Sequence, residues 1–421
     1  MIAKASRQPA MIPLKGVCLL MSSGGTPSRK HPDYFTADAT GNLWVKSKEL
    51  LDGPIYSTEE RITGEAIENS SAKYYPENTV LLAMYGANVG QLGILRRRAT
   101  VNQAICGMVV NPSVADFRYV FYAIMHRRRA LVAKAFGAAQ QNLNQELISS
   151  FEIPPPPLPI QRKIAAVLSA YDDLIEVNTR RIKILEEMAQ ALYREWFVHF
   201  RFPGHEGTEM VDSALGKIPK GWEVVTTRDV SSYINRGVSP KYDDQSQSVV
   251  VNQKCIRDGR LNLGLVRRHA TRVPREKLVR FGDVLVNSTG IGTLGRVAQV
   301  YQEVPDCTVD SHVSIVRPSD RVSIDYFGFF LEGLQPYFDS QGIGSTGQTE
   351  LGRETIAKAG FLLPPKGLQE SFAEIVSPMR GNTIKMSVMN ANLRRTRHLL
   401  LPKLIAGEVD VSDLEIAMPD A

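Results

Sequence analysis

The chain has 421 residues, which is too many for one ordinary hydrophobic core and suits two or three domains. Its composition, 43% hydrophobic and 22% charged, is that of a globular protein, and no apolar run approaches the ~20 residues that span a bilayer. The net charge is +6, and arginines cluster at 96–98, 127–129 and 267–268. Such clusters attract phosphate, so nucleic acid and a merely solvated basic surface are equally open at this point.

The N-terminus and the cysteines bear on the cellular compartment. MIAKASRQPAMIP lacks the apolar core of a signal peptide, so the sequence predicts a cytoplasmic protein. Cys18, Cys106, Cys255 and Cys307 form no CxxC pair and have no histidine at ligand spacing. This pattern favours reduced, packed thiols over disulfides or a metal site.

The first 150 or so residues are of mixed type, with short β-rich runs such as NTVLLAMYG (78–86) divided by glycine and proline turns. The glycine-rich stretch GANVGQLG faintly resembles a phosphate-binding loop. It has no following lysine and helix, so a turn that joins two strands is the better interpretation.

Four prolines at 154–157 stand directly before a long helical pattern. Steps of four and three from Ile164 meet an apolar or aromatic residue at every position except one, which is typical of a heptad seam. The predicted seam positions are Ile164, Leu168, Tyr171, Ile175, Asn178, Ile182, Leu185, Ala189, Leu192 and Trp196. Because a proline run cannot be helical, it should end the first domain and start the helix in a fixed direction.

The chain then repeats itself at an offset of 208, as in Gln161 and Gln369 (369 − 161). The repeat pairs Gly25 with Gly237, Tyr119 with Phe327, Gln140 with Gln348, and GQLG (90–93) with GTLG (292–295). The second helix carries its own seam, predicted at Phe372, Val376, Met379, Met386, Leu393, Leu400 and Leu404, with Thr383, Asn390 and Arg397 as polar members. Pro378 and Pro402 should bend or interrupt this helix, and Gly407 should end it.

These patterns predict an α+β fold. It is a tandem pseudo-two-fold repeat of a β-rich recognition domain followed by a long helix, and the two helices pack as an antiparallel coiled coil. The predicted segments are the first recognition domain (1–157), the first helix (158–203), the second recognition domain (204–365), the second helix (366–412) and a flexible tail (413–421). A pseudo-two-fold protein suits duplex DNA with two half-sites.

Catalytic motifs are missing from the sequence. It has no GxxxxGK[ST], no HExxH and no Asn-Pro-Pro-aromatic site of the kind used by adenine methyltransferases. We therefore expect a chain without catalytic residues, metal or cofactor. One alternative stays open, a symmetric scaffold that joins two protein partners through its coiled coil and does not bind DNA.

The sequence resembles the specificity subunits of type I restriction-modification systems over nearly its whole length. The resemblance rests on GGTPSR (24–29), GVSPK (237–241), PPPPLPIQRKIAAVLSAYDDLIEVNTRRI (154–182) and LRRTRHLLLPKLIAGEVDV (393–411). It implies a subunit that reads an asymmetric bipartite DNA site and whose helices set the gap and dock two methyltransferase subunits. Translocating restriction subunits would join this core, and S-adenosylmethionine, ATP and Mg²⁺ would lie on the partner subunits.

Polar residues near the repeated loops are the candidates for DNA contact, because side chains of these types bind phosphates and base edges. They are Thr26, Ser28, Arg29, Lys30, Tyr34, Asn88 and Gln91 in the first repeat, and Lys241, Tyr242, Lys254, Arg257, Ser288, Thr289 and Thr293 in the second. The candidates for methyltransferase docking are Arg180, Glu187, Arg194, Arg395 and His398 on the flanks of the helices. A plain surface or turn role is an equal alternative for each DNA candidate.

Overall fold

A computed structural model describes residues 10–135, 142–290, 292–342 and 350–416. The chain forms two compact units: unit 1 is Met1–Val177 with Asn390–Ala421, and unit 2 is Asn178–Met389. These units differ from the predicted domains because each includes part of both long helices. Gln140, Gln348 and the part of the predicted tail from 417 onward lie outside the described residues.

The β-rich part of unit 1 contains two sheets, with strand orders β2-β11-β8-β9-β5 and β3-β6-β4-β10-β7, and a β1-β12 pair. The strands are β1 (Ile12–Pro13), β2 (Cys18–Ser23), β3 (Phe35–Thr36), β4 (Asn42–Val45), β5 (Gly53–Ile55), β6 (Arg61–Ile62), β7 (Tyr74–Tyr75), β8 (Val80–Ala83), β9 (Leu92–Leu95), β10 (Ala99–Val101), β11 (Ile105–Val110) and β12 (Glu152–Ile153). The helices are α1 (Gly64–Glu68), α2 (Phe117–Ala133) and α3 (Gln145–Ser150), followed by the long helix α4 (Leu158–Tyr193).

Unit 2 repeats this plan, with sheets ordered β16-β24-β21-β22 and β20-β17-β23 and pairs β15-β25, β13-β14 and β18-β19. The strands are β13 (Met210–Ser213), β14 (Gly216–Pro219), β15 (Glu223–Thr226), β16 (Ser231–Arg236), β17 (Val249–Val251), β18 (Ile256–Arg257), β19 (Arg260–Leu261), β20 (Arg267–Arg268), β21 (Val284–Asn287), β22 (Val297–Gln299), β23 (Cys307–Val309), β24 (Val313–Pro318) and β25 (Gly360–Leu363). The helices are α5 (Ile324–Gly333), α6 (Gln335–Ser340), α7 (Arg353–Lys358) and the second long helix α8 (Lys366–Ile405).

Strand pairing confirms the tandem repeat. In unit 1 the parallel strands β4 and β10 pair Val45 with Val101, and in unit 2 β17 and β23 pair Val251 with Val309. The antiparallel pairs β8–β11 and β21–β24 occupy matching places in their sheets. The fold class predicted from the sequence is therefore correct.

The central strands are apolar on both faces because two cores lie against each of them. Val80 and Leu82 of β8 belong to a core that contains α2, whereas Leu81 and Ala83 belong to a core between the two sheets. In unit 2, Val284 and Val286 likewise belong to the core that contains α5, whereas Leu285 belongs to the second core. Alternation of side chains along a strand produces this division, and it explains why NTVLLAMYG is continuously hydrophobic.

The long helices run antiparallel within each unit. In unit 1, Ile164 and Leu168 of α4 share a core with Leu404 of α8, and farther along α4 the backbone carbonyl of Ile175 accepts a hydrogen bond of 3.3 Å from the Asn390 side chain. In unit 2, Trp196 stands 6.0 Å from Phe372, ring centroid to centroid. The helical turn from Arg194 to Val198, which carries Trp196, is π-helical.

The predicted seam positions are all buried or partly buried. Two polar members of the seam, Asn178 and Arg397, are 6% and 7% exposed. The prediction that Pro378 and Pro402 interrupt the second helix is wrong, because α8 continues through both. Pro378 is exposed, so water can satisfy the carbonyl that its missing N–H leaves unbonded.

Gly407 ends α8 as predicted. Its φ is 72°, its N–H donates to the carbonyl of Leu404 at 3.3 Å, and the N–H of Glu408 donates to Lys403 at 2.9 Å. These two bonds form a Schellman motif, which requires the left-handed conformation that glycine adopts without strain.

A buried glutamine explains why the proline phrase is repeated. The Gln161 amide donates to the Pro156 carbonyl at 2.8 Å, and its oxygen accepts from the backbone N–H of Asp116, the N-cap of α2, at 3.1 Å. Gln369 makes the same two bonds, to Pro364 at 2.7 Å and from Ser323, the N-cap of α5, at 2.8 Å. Each long helix is thereby joined at its first turn to the recognition domain before it.

The four cysteines are unpaired, as predicted. Burial raises the pKa of the Cys106 and Cys307 thiols to about 12, so both stay protonated at neutral pH. Among the helices of the described residues, none combines the length and apolarity that a membrane crossing needs.

Candidate nucleic-acid interface

Each unit has a glycine–proline loop, residues 24–30 in unit 1 and 237–243 in unit 2, that leaves β2 or β16 and crosses a parallel strand pair. The N–H of Gly24 donates to Ile105 at 3.1 Å and that of Gly25 to Val101 at 3.0 Å. In unit 2 the same bonds run from Gly237 to Val313, 3.1 Å, and from Val238 to Val309, 3.0 Å.

These hydrogen bonds correct the sequence alignment by one residue. Gly24, and not Gly25, is the counterpart of Gly237. A Cβ at either position would clash with a strand carbonyl, that of Val101 or Val309, which is why both copies need glycine there. The sequence offset between the two repeats changes in the loops near this position, and the residue types do not show where the change occurs.

In unit 1 the loop presents an arginine that stacks on aromatic rings. The guanidinium of Arg29 lies 4.0 Å from the centroid of Phe35 and 5.5 Å from that of Trp44, and it pairs with Glu60 at 2.7 Å. Its side chain is nevertheless 57% exposed. Lys46 also pairs with Glu60, at 2.7 Å, and first this lysine and then Arg29 lower the pKa of the Glu60 carboxyl.

In unit 2 the loop presents the ring and a strand supplies the cation. Tyr242, five residues after Gly237 as Arg29 is after Gly24, has Arg267 of β20 stacked 3.3 Å from its ring centroid. Both are exposed, and within the described residues Arg267 has no ion pair. An exposed planar guanidinium held on a ring is preorganised for phosphate or for a guanine edge.

A second loop joins the antiparallel strands β8 and β9, and its counterpart joins β21 and β22. The interpretation as strand turns is therefore confirmed. Gly90 donates to Ala83 at 2.9 Å and Gly295 to Asn287 at 2.8 Å, so these glycines are counterparts. The predicted match of GQLG with GTLG is therefore wrong by three residues, since Gly90 matches Gly295 and not Gly292.

The structure places the DNA candidates of the second loop in internal hydrogen bonds. Asn88 donates to the Ser47 carbonyl at 3.2 Å, next to Lys46. The Thr289 hydroxyl bonds to His312 at 2.8 Å and accepts from Gln253 at 2.6 Å, and the Thr293 hydroxyl donates to the Thr289 carbonyl at 3.4 Å. Gln91, three residues after Asn88, is partly buried. These residues shape the loops before any ligand binds.

The structure buries two of the DNA candidates. Ser288 is fully buried and shares a 2.7 Å hydrogen bond with Ser314. Tyr34 is 8% exposed and packs with Trp44 and Ile62 in a small core. Both positions were chosen for residue type beside a glycine loop, and the strand and core that bury them are not visible in residue type.

The remaining candidates are accessible. Ser28, Lys30, Lys241, Lys254 and Arg257 are exposed, and Thr26 is partly exposed and bonded to Gln103. Arg257 lies 3.5 Å from Asp258. Residues that sequence reasoning missed are Gln103, Gln253, His312 and Arg267. Of these four residues, only Arg267 could have been predicted from the sequence, because it belongs to the arginine cluster 267–268.

The described part of the chain has no group of three or more histidine, cysteine, aspartate or glutamate side chains that could hold a metal ion. The accessible chemistry of both glycine–proline loops is instead cationic, hydroxyl and aromatic. Such groups contact phosphates, base edges and sugar in nucleic-acid complexes.

Comparisons with known proteins point the same way. A sequence model of the family described as "Type I restriction modification DNA specificity domain" matches residues 10–187. The type I restriction enzyme MjaIX specificity subunit of Methanocaldococcus jannaschii is 26% identical over 404 residues, which cover 94% of this chain and 92% of that subunit. The HindI specificity subunit of Haemophilus influenzae is 22% identical over 345 residues, 66% of this chain and 73% of that one.

The crystal structure of the type I restriction-modification S subunit from M. genitalium has a similar fold, with a TM-score of 0.64 and 15% sequence identity. The similarity covers 96% of this chain and 98% of that chain. At this identity the comparison concerns the fold, and it agrees with the repeated architecture described above.

Proposed function

We propose that the chain is a specificity subunit of a type I restriction-modification system and that it reads an asymmetric two-part DNA site, one part with each unit. The observation that carries this proposal is the pair of equivalent glycine–proline loops, each of which presents an exposed member of a cation–π pair, Arg29 or Tyr242. The loops share their backbone and differ in side chains, which suits two half-sites of different sequence. A scaffold that does not bind DNA is not favoured, because the relatives are named as specificity subunits.

Within each unit we assign the phosphate contacts to exposed lysines and arginines and the base contacts to the loop tips. Lys30 and Lys241 provide compact charges, whereas Arg29 and Arg267 provide planar, multidentate donors. Contacts to phosphates position a protein on the duplex, and contacts to base edges give it sequence specificity. The differences between Arg29 and Tyr242 at equivalent positions would then contribute to reading different bases.

We further propose that the chain assembles with two methyltransferase subunits and with restriction subunits, and that catalysis belongs to them. Adenine-N6 methylation with S-adenosylmethionine, and ATP- and Mg²⁺-dependent translocation and cleavage, would take place on those partners. The missing catalytic motifs in this sequence support this division of roles. A cytoplasmic location is part of the same proposal, and the four unpaired cysteines agree with it.

Exposed apolar side chains on α4 support a docking face for the methyltransferase. Leu174 and Val177 in unit 1 are 54% and 45% exposed, and Ile184 and Met188 in unit 2 are 48% and 50% exposed. Within each unit the two residues are three or four positions apart, which places them on one side of the helix, away from the seam. Arg180, Glu187, Arg194, Arg395 and His398 are exposed as well.

The test is the methylated motif. The chain is co-expressed with its methyltransferase subunit in a host that lacks N6-methyladenine, and modified adenines are mapped across the genome. We expect a two-part motif with a constant gap, and no methylation when the methyltransferase is expressed alone. A stable complex that yields no two-part motif would contradict the proposal.

A further inference from the structure

The helices α2 and α5 occupy equivalent places in the two units. The N-caps that precede them, Asp116 and Ser323, both donate their backbone N–H to the buried glutamine of a long helix. The N-caps differ by 207 (323 − 116) and the glutamines by 208 (369 − 161). A residue of α2 thus matches the residue 207 later on α5, and a residue of α4 matches the residue 208 later on α8.

In unit 1 the long helix supplies an acid at the contact with α2. Asp172 of α4 accepts a 2.5 Å hydrogen bond from the hydroxyl of Tyr122 and forms an ion pair with Arg397 of α8. The Asp172 and Arg397 side chains are only 18% and 8% exposed. Arg118 of α2 lines the same small cavity as Asp172, and Met125, one turn beyond Tyr122, carries no charge.

In unit 2 the charges at the matching positions are reversed. The counterpart of Asp172 is Arg380 (172 + 208), whose guanidinium lies 3.8 Å from the ring centroid of Phe329, the counterpart of Tyr122 (122 + 207). Arg380 forms an ion pair of 3.3 Å with Glu332, the counterpart of Met125 (125 + 207). Both side chains are nearly buried, at 13% and 16% exposed.

Two further positions complete the reversal. The counterpart of Arg118 is Asp325 (118 + 207), which accepts a 2.5 Å hydrogen bond from Ser377 of α8. The counterpart of Arg397 is Ala189 (397 − 208), which is 2% exposed and carries no charge. Unit 1 therefore combines a basic α2 with an acid on its long helix, and unit 2 combines an acidic α5 with a base on its long helix.

Removing one partner of a buried ion pair is costly, because the remaining charge stays desolvated without compensation. If α5 lay on the unit 1 helices, Asp325 and Glu332 would face Asp172. If α2 lay on the unit 2 helices, Arg118 would face Arg380, and Met125 would supply no carboxylate where Glu332 pairs with that arginine. The Asp116 carboxylate at the start of α2 already pairs with Arg118, at 3.4 Å. Packing of like charges in both exchanged combinations would be unfavourable, although the backbones of the two recognition domains match.

We propose that this charge reversal makes each long-helix segment a selective interface for its own recognition domain. The surface around Asp172 and Arg397 fits a domain whose helix is basic or neutral, and the surface around Arg380 and Ala189 fits a domain whose helix is acidic. The pairing fixes which recognition domain packs on which helix segments, independently of the bases that either domain reads.

The test is a charge-reversal cycle in the full chain, read out by thermal unfolding. Arg118→Asp with Met125→Glu gives unit 1 the acidic domain helix, and Asp172→Arg with Arg397→Ala gives it the basic long helix. We expect each double substitution to lower the melting temperature by about 5 °C or more, and the four substitutions together to regain at least half of that loss. A four-residue variant as unstable as the two losses combined would overturn the proposal.

A milder pair of variants covers the case in which the four-residue variant does not fold. Asp172→Asn should destabilise the unaltered chain, because Arg397 loses its partner. In a chain that carries Met125→Glu, the same Asp172→Asn change should raise the melting temperature, because it removes one of two facing acids. If Asp172→Asn lowers the melting temperature equally in both chains, the two helices are not matched by charge.

Discussion

At the scale of single residues, Arg29 and Arg267 differ in how their charge is balanced. Arg29 shares Glu60 with Lys46, whereas Arg267 has no ion pair within the described part of the chain. An uncompensated guanidinium is attracted more strongly to a phosphate or a guanine edge, because no internal acid must be displaced first. Arg267 should accordingly contribute more to DNA binding than Arg29.

Arg267→Ala should weaken binding to the cognate duplex by about tenfold and reduce the salt slope by about one, because one counterion-releasing contact is lost. Arg267→Lys should keep the salt slope but lose affinity, since lysine cannot stack as a plane on Tyr242. The measurement is DNA affinity of the assembled methyltransferase complex over a range of salt concentrations. Arg228→Ala is the matched control, because Arg228 is an exposed arginine of unit 2 that already pairs with Glu354 at 2.7 Å. Equal losses from the two alanine variants would exclude a specific role for Arg267.

Some of these residues could be predicted from the sequence and others could not. The glycine–proline loops were found because a repeated glycine with a nearby proline marks a fixed backbone turn. Arg267 was missed as a contact because it reaches Tyr242 from a strand 25 residues later in the chain (267 − 242). The one-residue slip at Gly24 was also hidden, since only backbone hydrogen bonds distinguish it from Gly25.

At the scale of elements, the first turn of each long helix is the joint between recognition domain and helix. Gln161 is 1% exposed and bonds at once to the Pro156 carbonyl and to the backbone N–H of Asp116, the N-cap of α2. The joint therefore depends on one side chain in each unit.

Gln161→Ala should destabilise the chain by about 2 kcal/mol, because it leaves the buried N–H of Asp116 and the partly buried carbonyl of Pro156 without these hydrogen bonds. Its neighbour Arg162 is exposed, so Arg162→Ala should change stability by less than about 0.5 kcal/mol. Thermal or urea unfolding of the purified chain measures both. Similar losses for the two variants would show that the hydrogen bonds of the joint do not determine the result.

The two helix ends illustrate what sequence reasoning can predict about an element. The proline run and Gly407 act through local backbone chemistry, so the start of α4 and the end of α8 followed from residue identity. The continuity of α8 through Pro378 did not follow from it. It depends on whether the carbonyl that proline leaves unbonded faces water, which is a property of the packed molecule.

At the scale of the whole molecule, both long helices are divided between the two units, at 177–178 and at 389–390. The heptad pattern predicted the helices and their pairing, but residue types could not predict that each compact unit would contain parts of both. That division is set by which core the helix side chains enter, as with Leu404 in unit 1 and Phe372 in unit 2.

The division points give a test of the proposal that the helices set the gap between the half-sites. Seven residues inserted between Val177 and Asn178, and seven more between Met389 and Asn390, would lengthen both helices by about 10 Å while keeping the seam in phase. We expect the gap in the methylated motif to grow by about three base pairs, since stacked bases are about 3.4 Å apart. Inserting five residues at each point is the control, because it rotates the following seam residues by about 150° and should abolish assembly. An unchanged gap in the seven-residue variant would exclude the helices as the spacer.

The discontinuity of unit 1 also determines the order in which the protein matures on the ribosome. Unit 2 is one uninterrupted segment, whereas unit 1 is closed by Asn390–Ala421, which contributes Leu401, Leu404 and Ile405 to its core. Translation proceeds from the N-terminus, so the recognition domain that is synthesised first is completed last. A nascent chain halted in α8 just after Met389 would already hold the whole of unit 2, whereas unit 1 would still lack the segment from Asn390 that completes its core.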